Sequence, residues 1–133
     1  MKSTASALVL LLAGAFVSAA EEYPELITGM KMTAATMDSL RKMEKKIGTP
    51  AVRAAERLGG VYELMIPFFR QRDAKDAVKL AEQGKAAAAQ LASAAFGEDA
   101  DRAEAAFQSL TGTWKSCHEA HREKLESGKY KIK

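Results

Sequence analysis

Apolar positions recur at helical spacing along most of the chain. Between Tyr23 and Ile47, the residues Leu26, Met30, Met37, Leu40, Met43 and Ile47 step by 4, 7, 3, 3 and 4. That spacing lines one face of a helix, and Lys45, Lys46 and Gly48 read as its basic last turn and C-cap. Thr49-Pro50 opens a second segment, with Thr49 able to cap and Pro50 suited to the first helical position. It runs to about Arg70. Gly59-Gly60 interrupts it, and Pro67 is expected to kink or end it near Ile66. Asp73 reads as the cap of a third segment reaching about Phe96 and closed by Gly97, with Val78, Leu80, Ala81 and Leu91 among many alanines. The fourth segment, from about Asp99 to Glu126, carries the sharpest stripe. Its Ala103, Phe107, Leu110, Trp114, Cys117, His121 and Leu125 step by 4, 3, 4, 3, 4 and 4. Amphipathic helices with short connections predict an all-α fold, an antiparallel four-helix bundle.

The chain before Tyr23 reads differently. MKSTASALVLLLAGAFVSAA has an early Lys2, an apolar run from Ala5 to Val17, and Ser18 and Ala20 at the −3 and −1 positions of a secretory cleavage site. The expectation is a signal peptide over residues 1–20, a single mature domain over 21–133, and a periplasmic location. An uncleaved N-terminal anchor is the alternative, although the run is short for a membrane span. Removing Lys2 from the 20 basic residues leaves 19 against 17 acidic ones, well interspersed. That balance gives no footing for nucleic acid. The basic tail KYKIK reads as a solvated terminus; a weak docking patch for an acidic partner is the other reading. There is no glycine-rich phosphate loop, and no Ser/His/Asp set is apparent.

Cys117 is the only cysteine, and an exported protein with an odd thiol needs an explanation. The thiol could be buried, paired with another chain, or bonded to a group that is not protein. Its place in the apolar stripe argues for an inward orientation and against a disulfide-linked dimer. The chain's two histidines, His118 and His121, stand beside it. Cys117 and His121 are four apart and His118 and His121 three apart, so each pair can share a helix face. A thiolate and two imidazoles can bind zinc or copper. A helix with Trp114 and Cys117 in its core and histidines at its polar edge fits the same spacing equally well.

The segment F107-x6-W114-x-x-C117-H118-x-x-H121-R122 resembles the C-terminal helix of class II c-type cytochromes, the cytochrome c′ group. Members carry Cys-x-x-Cys-His on the last helix of an exported four-helix bundle. The resemblance covers essentially all of residues 21–133. It implies that His118 ligates haem iron, that Cys117 forms a thioether to one haem vinyl, and that Arg122 tunes the imidazole or meets a propionate. It also implies that Met30 packs on, or ligates, the distal side. The chain departs from the family at three places. Trp114 replaces the first attaching cysteine, which leaves a single thioether and puts the indole at the porphyrin edge or in the core. Leu26 stands where the family often has Arg. His121 takes the usual aromatic position. The resemblance thus implies a periplasmic haem c protein, not an enzyme, with a redox partner protein or a small gas (NO or CO) as its partner. A homodimer is compatible with the family. The alternative is a haem-free bundle that uses Cys117, His118 and His121 for another metal.

Overall fold

The structure, a computed structural model, describes residues 23–124, 126 and 130–133. The expected signal peptide over residues 1–20 lies outside them. Helices α1 (Pro24–Lys42), α2 (Thr49–Gln71), α3 (Lys75–Phe96) and α4 (Ala100–His121) form an all-α bundle. A two-stranded antiparallel ribbon follows, with β1 (Arg122–Lys124) paired to β2 (Tyr130–Ile132). Helix α2 packs on α3, α3 on α4, and α1 chiefly on α2. The largest fully buried side chains are Met37, Leu40, Leu58, Phe69, Leu91 and Leu110, so all four helices share one core.

Helix α1 ends at Lys42, well before the expected Ile47, and Gly48 is not its cap. The reason is tertiary. Lys46 turns inward to 6% exposure, pairs with Glu104 of α4 at 2.8 Å and lies over the Phe107 ring at 4.7 Å. A helical continuation would carry that ammonium elsewhere. Gly48 instead precedes α2 with a φ of 80°, a region glycine adopts without steric cost, and its N–H donates to the Ala95 carbonyl. Thr49 is accordingly the first residue of α2 rather than its cap.

Helix α2 runs through Gly59-Gly60 and past Pro67 to Gln71, so Pro67 does not end it near Ile66. Proline forfeits one backbone hydrogen bond there. The turn beyond it is held by packing. Phe69 is buried, and Phe68 stacks edge-on against Tyr23 while the Arg72 guanidinium lies over both Phe68 and Tyr23. Asp73 takes a left-handed φ of 54° and does not cap α3, whose N-cap is Ala74. Gly97 does close α3, and the structure adds a cap to α4, where the Asp99 side chain accepts from the Arg102 N–H at 3.1 Å.

Alanines and Gly84 on α3 let α2 approach closely. A Cβ on Gly84 would stand 2.4 Å from Cζ of Tyr62, whose ring fills that notch. At the other end, α4 stops at His121 rather than Glu126, because Arg122 turns into extended backbone to pair with Ile132. The tail is therefore not simply a solvated terminus: Tyr130–Ile132 is a strand, and Ile132 packs against the core.

Candidate functional site

Helix α4 presents Cys117, His118 and His121 on the side facing α1, where Ile27 and Met30 stand one turn apart. The residues Ile27, Met30, Cys117, His118, His121, Arg122 and Ile132 enclose a cavity of about 40 Å³. Met30 is thus brought to the Cys117-His118 pair from the far end of the sequence. Arg122 and Ile132 arrive through the ribbon, as register partners.

Cys117 faces inward, at 8% exposure, as its place in the stripe requires. Burial pushes its thiol above the ordinary cysteine value, and the negative charge of Asp76 adds to the rise. Tyr62 is coupled to this thiol. Burial, then the Cys117 charge, pushes its phenol up to about 12. His118 is shifted the other way, down to about 4, first by burial and then by the Arg122 cation. Its imidazole is neutral at pH 7, the form in which histidine binds a metal. Its Nδ1 is buried without a hydrogen-bond partner, which is costly in a folded protein.

His121 is committed elsewhere. Its Nε2 lies 2.6 Å from Oδ2 of Asp76 on α3, and its Nδ1 lies 3.0 Å from the Lys133 carbonyl oxygen. The His121 bond is the main cause that holds the Asp76 carboxyl below the usual carboxylate range. Among the described residues, no three His, Cys, Asp or Glu side chains form a group that could hold a metal ion. The trio Cys117, His118 and His121 is therefore not assembled as a zinc or copper site.

Trp114 does not line the cavity. It is half-buried and meets the His118 ring edge-on, with centroids 4.3 Å apart, so it is not the core filler its size suggests. Leu26 is a core residue. Sequence reasoning missed Asp76, Ile27 and Ile132. No signal in the sequence links Asp76 to His121. The alternation Tyr130-x-Ile132 was the available sign of a strand.

In kind, these residues fit a haem: a neutral imidazole, a thiol beside it, a thioether across from both and a cation nearby. In size the cavity does not, since 40 Å³ admits only a few water-sized atoms. A macrocycle is accommodated only once a wall moves. Compared with known proteins, the chain matches no family model, no curated sequence and no solved structure. Among the described residues, no helix is long and apolar enough to cross a membrane.

Proposed function

We propose that this is an exported, periplasmic c-type haem protein that works in electron transfer or small-gas binding and not as an enzyme. The observation that carries this reading is the convergence of Met30 with Cys117, His118 and Arg122 on one cavity. His118 would hold the iron through its neutral imidazole. Cys117 would hold the haem through a single thioether. Arg122 depresses protonation of His118 and can meet a propionate. Trp114 braces the His118 ring from outside. When bound, the haem supplies a one-electron couple or an open coordination position. As an iron ligand, Met30 would select the first role, with a redox protein as partner. As a packing residue only, it would leave the second, with NO or CO as ligand.

The test is maturation in a periplasm with active haem attachment. The expected product carries one haem by mass and keeps its Soret band through acid–acetone extraction. Its pyridine haemochrome band is red-shifted, because one vinyl stays conjugated. Cys117→Ala releases the haem to extraction. A product of bare polypeptide mass that also fails to take up added haemin overturns the proposal. The small cavity favours a second reading, a haem-free bundle, and that outcome would select it.

A further inference from the structure

The cavity has one wall unlike the others. Its α1 side belongs to a helix fastened by Leu26, Met37 and Leu40 in the core. Another part of its wall is Ile132, on a strand whose pairing consists of three residues against three. A two-stranded ribbon by itself is marginal in water. Here it is fastened at its end. The Lys133 N–H donates to the His121 carbonyl at 2.8 Å, the Lys133 oxygen lies against the His121 ring, and the other ring nitrogen reaches Asp76. One chain of bonds thus ties α3, α4 and β2 together beside the buried Cys117.

We infer that strand β2 is a gate over Cys117 and His118, with Ile132 as the plug and the Asp76–His121–Lys133 chain as the latch. Opening this wall means breaking that latch and the three-residue pairing with β1, and exposing one isoleucine. Opening the α1 wall means pulling several side chains from the core, which is far more costly. The inference rests on the haem reading for what passes through the gate, but its test needs no haem.

The test uses the full, haem-free chain and two readouts. One is amide exchange at Lys133. Asp76→Asn weakens the latch and is expected to speed it roughly threefold to tenfold, as for loss of a charge-assisted bond at a partly exposed site. The other is alkylation of Cys117 by iodoacetamide. Ile132→Ser removes the plug and leaves Asp76, whose charge bears on the thiol. It is expected to speed labelling by about tenfold without dependence on low denaturant, the mark of local opening. Unchanged Lys133 exchange in Asp76→Asn overturns the inference. So does unchanged labelling in Ile132→Ser, or labelling that follows global unfolding. A gate that opens on schedule in a protein that takes no haem leaves the gate standing and removes the haem reading. Haem attachment with both readouts unmoved does the reverse.

Discussion

At the scale of single residues, Tyr62 and His118 set what the site can do. The Tyr62 ring occupies the place of a side chain at Gly84, so Gly84→Ala overpacks the α2–α3 contact. It is expected to cost about 1–3 kcal/mol and to lower the thermal midpoint accordingly. Because the Tyr62 phenol is pushed up to about 12, the unfolded chain ionises first. Its contribution to stability is whole below pH 10 and is lost as pH rises from 10 to 12. Absorbance at 295 nm is expected to show one tyrosine ionising later than the others. His118 gives the acid limb. Its folded value of about 4 lies below the unfolded one near 6.5, so the unfolded chain gains the proton first. Stability is expected to fall between pH 6.5 and 4 and then level off, and His118→Gln is expected to remove that part of the fall. Thermal melts across pH check both. The inward thiol of Cys117 was legible in the stripe. The engagement of His121 was not, because Asp76 is its neighbour only in space.

At the scale of elements, local signals located every helix and misjudged several ends. Gly97 acts as its chemistry suggests, since a cap depends on a few adjacent residues. The run Lys45, Lys46, Gly48 did not, because a distant carboxylate and ring recruit Lys46. Lys46→Ala is expected to cost roughly 1–2 kcal/mol, through the lost ion pair and cation–π contact together. Chemical denaturation measures it, and a paired Glu104→Ala variant separates the ion-pair share. The ribbon was missed for a similar reason. Its strands are short, and pairing rather than propensity keeps them extended.

At the scale of the whole molecule, the bundle is built from a tight α2–α3–α4 stack with α1 laid on α2. That arrangement leaves the cavity between α1 and α4 where a perfectly filled bundle would have core. Hydrogen exchange is expected to be faster along α1 than along α3, whose alanine face is buried over its full length. Haem that binds only the folded form would raise the thermal midpoint and slow exchange in α1 and β2 first.

By itself the sequence determined the number and order of the helices, the shared core and the inward Cys117, because hydrophobic period is a local property that survives without knowledge of neighbours. Only the tertiary structure decided that Met30 meets Cys117 and His118, that His121 is held by Asp76 and Lys133, and that the tail becomes a wall. Those contacts join residues far apart in the chain, and their geometry follows from how helices pack, which no local spacing records.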